Sequence, residues 1–294
     1  MFNKIKVAAV SMKPERWQKE KNARKMESFI RRAARRHPDL IVLPEGLLDG
    51  YPINEVIFFP ERRPAFLEAA EPIDGPYIAR FRRLARELGI CLSFGFSERI
   101  GREAYNCAIV LDKKGNICGK YHKTELAEGY HPSWYFNRLG KSIRAIDTPL
   151  GRCGMLICRD RFNPMIARTL VLDGARLLLI SSYGSKEREQ NVAVLARARE
   201  NGVPIVEANV GMNLIISKGE IVAYKWGADK ITHAEIEVPA EVSRRNARAH
   251  EKNFLRKRGP MMKKFYQRIQ KAIRAGNFTQ DGMRSAVKKK VRDS

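Results

Sequence analysis

Short aliphatic runs alternating with amphipathic stretches set the pattern of this chain. Ile5–Val10 and Leu40–Leu43 have the length and branching of buried strands. Between them Met26, Phe29, Ile30 and Ala33 recur at helical spacing over residues 14–37, until His37-Pro38-Asp39 breaks the period. A second amphipathic helix is predicted over 76–88, with Ile78, Phe81, Leu84, Ala85 and Leu88 on one side and Gly89 as its stop. Strands follow at Ile90–Phe96, Tyr105–Leu111 and Ile117–His122, the last two joined by a turn at Lys113-Lys114-Gly115-Asn116. Ile143–Asp147 and Met155–Ile157 are the next strands, then a helix over 164–173, a strand at Ala175–Ser181 and a helix at Glu187–Asn201. Pro204–Ala208, Leu214–Ser217, Ile221–Tyr224 and Ile231–Val238 close the series. Residues 49–76 read as loop with short helical pieces, and 126–140 as irregular and aromatic. Strands and helices alternate but hairpins interrupt them, which predicts an α/β protein with mixed sheets.

Beyond residue 240 the aliphatic strands cease. Residues 1–240 read as one domain, and 241–294 as a basic extension, helical or partly disordered, with its clearest helix at Arg256–Ala275 and interruptions at Pro260 and Gly276. The charge is concentrated there. Of 56 Lys+Arg and 32 Asp+Glu in 294 residues, 17 and 4 fall in 241–294, giving that segment +13 of a net +24. Such a balance attracts polyanions or acidic surfaces, so weak polyanion contact through the C-terminus is one expectation. Solubility and the bias of a host proteome are the others. The arginines of the first helix, Arg31, Arg32, Arg35 and Arg36, read as a solvated face.

A composition 44% hydrophobic and 9% aromatic excludes a disordered chain. Five cysteines without paired spacing argue for a reduced, intracellular setting and against structural zinc. The apolar run Val7–Val10 is too short for a signal peptide, and no stretch approaches a membrane span. A soluble, cytoplasmic protein is expected.

Three strands end on reactive side chains. Leu40–Leu43 leads to Pro44 and Glu45, Ile117–His122 to Lys123, and Met155–Ile157 to Cys158. Taken singly each has a plain reading: a helix-terminal charge for Glu45, a small buried hydrophobe for Cys158. In an α/β sheet, however, strand ends of one polarity converge on one crevice. A carboxylate there can deprotonate a thiol, an ammonium can favour thiolate and oxyanion, and the thiolate can form an acyl-enzyme. Cys153 reads as packing.

The motifs Leu-Pro-Glu-Gly around Glu45, Gly-Lys-Tyr-His-Lys-Thr around Lys123 and Gly-Met-Leu-Ile-Cys-Arg-Asp around Cys158 resemble those of the nitrilase, or carbon–nitrogen hydrolase, superfamily. Gly50-Tyr51-Pro52, Tyr105-Asn106, Gly174-Ala175, Ala198-Arg199-Glu200-Asn201 and Asn209-Val210-Gly211 follow in family order. The resemblance implies a four-layer αββα sandwich with two mixed sheets and a Glu45–Lys123–Cys158 triad. It implies hydrolysis of a small amide, ureido or nitrile substrate without metal or organic cofactor, with amide or N-carbamoyl compounds ahead of nitriles. A homodimer or higher oligomer is also implied.

The chain departs from the family around 125–140, where Lys-Thr-Glu-Leu and Phe136-Asn137-Arg138-Leu139-Gly140 replace the usual patterns. Many members carry a second, substrate-positioning glutamate there. Glu128 is the first candidate for it and Glu125 the alternative. Arg161 resembles a substrate-carboxylate position of carbamoyl-amino-acid amidohydrolases, the other reading being a salt bridge to Asp160 or a neighbour. The backbone N–H of Arg159 is the natural second oxyanion donor, and Tyr183 is placed in the pocket wall or in packing. The rival from another class is a nucleic-acid or anionic-surface binding protein on a degenerate hydrolase scaffold.

Overall fold

The computed structural model describes residues 2–184, 188–240 and 247–275. In chain order the elements are β1 (Phe2–Ser11), α1 (Lys19–Ala34), β2 (Leu40–Val42), α2 (Ile53–Phe58), α3 (Arg63–Ala69), α4 (Pro76–Leu88), β3 (Cys91–Ile100), β4 (Glu103–Leu111) and β5 (Ile117–His122). The second half holds β6 (Ile146–Thr148), β7 (Gly151–Ile157), α5 (Pro164–Leu172), β8 (Leu177–Ser182), α6 (Arg188–Asn201), β9 (Ile205–Asn209), β10 (Met212–Ser217), β11 (Glu220–Trp226), β12 (Lys230–Pro239) and α7 (Ala247–Arg274). They form two mixed six-stranded sheets, β12-β1-β2-β3-β4-β5 and β11-β10-β9-β8-β7-β6. The fold is the αββα sandwich.

Three apolar layers hold it. Alternate residues of the facing strands, among them Val7, Ala9, Val42, Met155, Ile157, Leu179 and Val206, fill the space between the sheets. The opposite face of the first sheet packs on α1 and α4 through Phe29, Ile30, Phe81 and Phe94. The second sheet is covered by α5 and α6, with Phe254 of α7 in the same cluster. Polarity then fixes the site. β1, β2 and β3 run parallel, and two antiparallel steps return β5 to the same direction, so Glu45 and Lys123 emerge at one end. In the other sheet β7, β8 and β9 are parallel. Glu45 N–H donates to Ser182 O at 3.4 Å, which brings the end of β8 to the end of β2.

Several strands run longer than predicted, among them β3, β7 and β11, and three further elements depart from their predicted bounds for a visible reason. α1 begins at Lys19 and not at 14. Trp17 takes φ 64°, and the Asn22 side chain bonds both N–H and C=O of Glu15, pinning residues 15–18 as a turn. The strand predicted at Ile143–Asp147 shrinks to β6. The N–H of Ile143 is taken by Glu251 Oε1 at 2.7 Å and that of Ala145 by Asp173 Oδ2 at 2.9 Å, so neither joins a ladder. The C-terminal helix starts at Ala247, ahead of Arg256, and continues through Pro260. Phe254 and Met262 are buried, and burial of large apolar side chains outweighs the local cost of a proline. The rest of the extension, 241–246 and 276–294, and the predicted helix start at Glu187 lie outside the described residues. No helix among the described residues is long and apolar enough to cross a membrane.

Candidate active site

Glu45 sits in the turn after β2, where the chain crosses β3 at Gly95. A Cβ on Gly95 would lie 2.6 Å from Glu45 Cα and 3.0 Å from Gly46 N, so only glycine lets the two backbones approach. The carboxylate is fully buried. Oε1 accepts from Lys123 Nζ at 2.6 Å and Asn106 Nδ2 at 2.6 Å, and Oε2 accepts from Tyr183 N–H at 2.8 Å. Three donors leave the side chain little freedom.

Lys123 is equally buried, and its main chain is tied on both sides, N–H to Asn106 O and C=O to Gly140 N–H. Burial alone would lower its pKa. The charges of Glu45 and Glu128, joined by Cys158 once it ionises, outweigh that and hold it above the ordinary lysine value, so the side chain stays an ammonium.

Cys158 opens a 3₁₀ turn, Cys158–Phe162, directly after β7. Its φ is +45°, a left-handed conformation that costs a non-glycine residue roughly 1–2 kcal/mol. Asp160 holds this turn. It accepts from Ile157 N–H at 2.9 Å, Glu125 N–H at 3.0 Å, Tyr121 OH at 3.0 Å and Thr124 Oγ1 at 3.3 Å. Burial pushes the Asp160 carboxyl up to about 7 against the opposing pull of the Ile157 N–H and Lys123. Burial, and after it the charge of Glu45, pushes the Cys158 thiol up to about 11, while Arg161 and Lys123 pull it back. The resting group is a thiol, which donates to Tyr183 O at 3.7 Å.

Around this core the two candidate glutamates separate. Glu128 is buried and its Oε1 accepts from Tyr51 OH at 2.5 Å, while its Oε2 has no hydrogen-bond partner among the described residues. Its charge acts on Lys123, and Tyr51 stacks on Tyr183 with ring centroids 4.5 Å apart. Glu125 turns the other way, to Arg159 Nε at 3.2 Å and Asn163 Nδ2 at 3.1 Å. The Arg159 guanidinium also lies 4.1 Å from the Phe265 ring of α7. Arg161 is buried, and its partners are Glu207 at 2.5 Å and Ser182 Oγ at 2.6 Å. Of its two readings the structure displays the salt bridge, and the partner is Glu207, not Asp160. A recess of about 10 Å³, room for one water, lies among Gly46, Tyr51, Asn106 and Asn137.

Four contributors had no role assigned from sequence: Asn106, Tyr51, Asp160 and Glu207. Asn106 and Tyr51 belong to motifs already noted, and Asp160 follows Cys158 by two residues. Nothing in the sequence marks Glu207. Among the described residues one grouping, Glu98, Cys107 and His122, is close enough to ligate a metal. Both Glu98 oxygens are engaged there, one by Lys120 and one by His122, so an ammonium holds the place a cation would take.

The fold and this cluster define a nitrilase-type α/β sandwich with its buried polar site at the strand ends. The chain belongs to the carbon–nitrogen hydrolase family, whose model matches residues 6–238. It is 30% identical over 217 residues to the N-carbamoylputrescine amidase of Oryza sativa subsp. japonica, covering 72% of this chain and 68% of that one. The citrullinase of Francisella tularensis is 29% identical over 253 residues, covering 82% and 85%, and the nitrilase of Pyrococcus abyssi 32% over 236 residues, covering 74% and 84%. Among solved structures, Nit3 of Saccharomyces cerevisiae superposes with a TM-score of 0.69 at 23% identity, covering 80% of this chain and 90% of that one. An amidase from Nesterenkonia sp. gives 0.68 at 20%, covering 85% and 96%.

Proposed function

We propose that the protein hydrolyses the C–N bond of a small amide or N-carbamoyl compound through a Cys158 thioester, releasing ammonia. The observation that carries this reading is the buried Glu45 carboxylate, fixed by three donors and joined to Cys158 through Tyr183, whose N–H donates to Glu45 and whose C=O accepts from the thiol. Glu45 takes the Cys158 proton as sulfur bonds to the carbonyl carbon. The carbonyl oxygen gains the negative charge, beside the Lys123 ammonium and the Arg159 backbone N–H. The nitrogen takes the proton from Glu45 and leaves as ammonia. Water, deprotonated by Glu45, then attacks the thioester, and the proton returns to sulfur. Glu128, held by Tyr51, positions the substrate. The citrullinase and N-carbamoylputrescine amidase relatives support the ureido part of this substrate class.

The test is an ammonia-release screen across amides, ureido acids and nitriles, with intact-mass analysis of a slow substrate. Turnover lost in Cys158→Ala and an acyl adduct on the peptide containing Cys158 are expected. Full activity in Cys158→Ala would overturn the thioester route. Turnover confined to nitriles would make the protein a nitrilase instead.

A further inference from the structure

The second anionic-ligand feature of the molecule is not where the sequence charge is densest. Arg32, Arg35 and Arg36, from the last turns of α1 and the residues just beyond, form one wall of a groove of about 480 Å³. Tyr224 and Lys225 of β11 and Thr232 and His233 of β12 form the other. No residue of this groove belongs to the site around Cys158. Among the described residues none of the three arginines has a carboxylate within 4.0 Å, although Arg31, one position away, is clamped by Glu27 and Glu87. Lys225 donates to the backbone O of Ile231 and has no acidic partner either. Burial first, and then the charges of Arg36 and Lys225, hold the His233 pKa below its ordinary value, as expected in an uncompensated positive field.

One residue of the groove wall, Tyr224, belongs to an exposed aromatic pair. Tyr224 and Trp226 point to the same side of β11, are both exposed, and have ring centroids 6.3 Å apart. Arg32 rests on the Phe29 ring, 4.9 Å from its centroid, and arginine forks without a carboxylate partner suit phosphate oxygens. Sequence-tolerant binding of single strands uses such a cationic track together with exposed rings on which bases stack. We infer that the groove between α1 and the β11–β12 edge binds single-stranded nucleic acid, phosphates on Arg32, Arg35, Arg36 and Lys225 and bases on Tyr224 and Trp226.

The experiment is fluorescence anisotropy with a short labelled oligouridylate and the full chain, from low to physiological salt. The paired variants are Arg32→Ala/Arg36→Ala and Tyr224→Ala/Trp226→Ala, each checked for an unchanged thermal midpoint. Loss of two phosphate contacts should reduce the slope of log K against log salt by about 1.4. Loss of the rings should weaken binding about tenfold or more. The arginine pair retaining wild-type affinity and slope would overturn the inference, because the 241–294 segment would then carry the binding. So would absence of binding by the wild type, indifference to the aromatic pair, or tighter binding to phosphatidylglycerol vesicles than to the oligonucleotide.

Discussion

The carboxylate that would remove the Cys158 proton also helps keep it on the sulfur, and the two effects separate in one variant. With the thiol pushed up to about 11, the thiolate fraction near pH 8 is on the order of 10⁻³. Modification by a small thiol reagent such as methyl methanethiolsulfonate needs the thiolate. Its rate at Cys158 should therefore rise about tenfold per pH unit from roughly pH 7 to 10. Glu45→Gln removes a negative charge that raises the thiol pKa. A neighbouring like charge is worth roughly 1–3 units, and the Lys123 ammonium offsets part of it, so a fall of about one unit is expected. Modification near pH 8 should then be about tenfold faster. Turnover should fall about 10²–10⁴-fold, because the general base is gone. Mass spectrometry of the peptides distinguishes Cys158 from Cys91, Cys107, Cys118 and Cys153. Slower modification in Glu45→Gln, or a wild-type rate that levels off well below pH 9, would refute the reasoning.

Tyr51→Phe removes the one donor to buried Glu128 found among the described residues, so it should cost about 1–3 kcal/mol in denaturant unfolding and lower kcat/KM, while Tyr105→Phe at the half-buried Glu103 contact should do neither. Gly95→Ala drives a methyl group into the backbone of Glu45. It should destabilise by roughly 1–3 kcal/mol, and activity per folded molecule should drop. Phe254→Ala opens a cavity where α7 meets the second sheet and should cost about 3–5 kcal/mol, visible as a lower thermal midpoint. A midpoint unchanged in that variant would mean α7 is not part of the cooperative unit.

Most strands and the three strand ends at Glu45, Lys123 and Cys158 were legible because each obeys a local rule, an aliphatic run and then a charge or thiol, whereas the order of strands within the sheets was not. What holds those ends was not, because the partners come from far along the chain. Asn106 and Tyr183 reach Glu45 across 61 and 138 residues. Glu251 removes Ile143 from a ladder across 108 residues. The C-terminal helix illustrates the same limit. Its composition is that of a solvated segment, yet buried Phe254 and Met262, the Glu251 contact to Ile143 and the Arg248 contact to Asp173 hold it on the domain. Likewise Glu27, four residues before Arg31, marks one partner of that arginine in the sequence, but the second, Glu87, comes from 56 residues away.

Tyr183 gives the site a single point of failure. Its N–H donates to Glu45, its C=O accepts from the Cys158 thiol and its ring stacks on Tyr51, which donates to Glu128. A shift of that one residue would disturb the Glu45 carboxylate, the Cys158 sulfur and the Tyr51–Glu128 pair together, so a substitution that moves Tyr183 reaches three groups it does not replace.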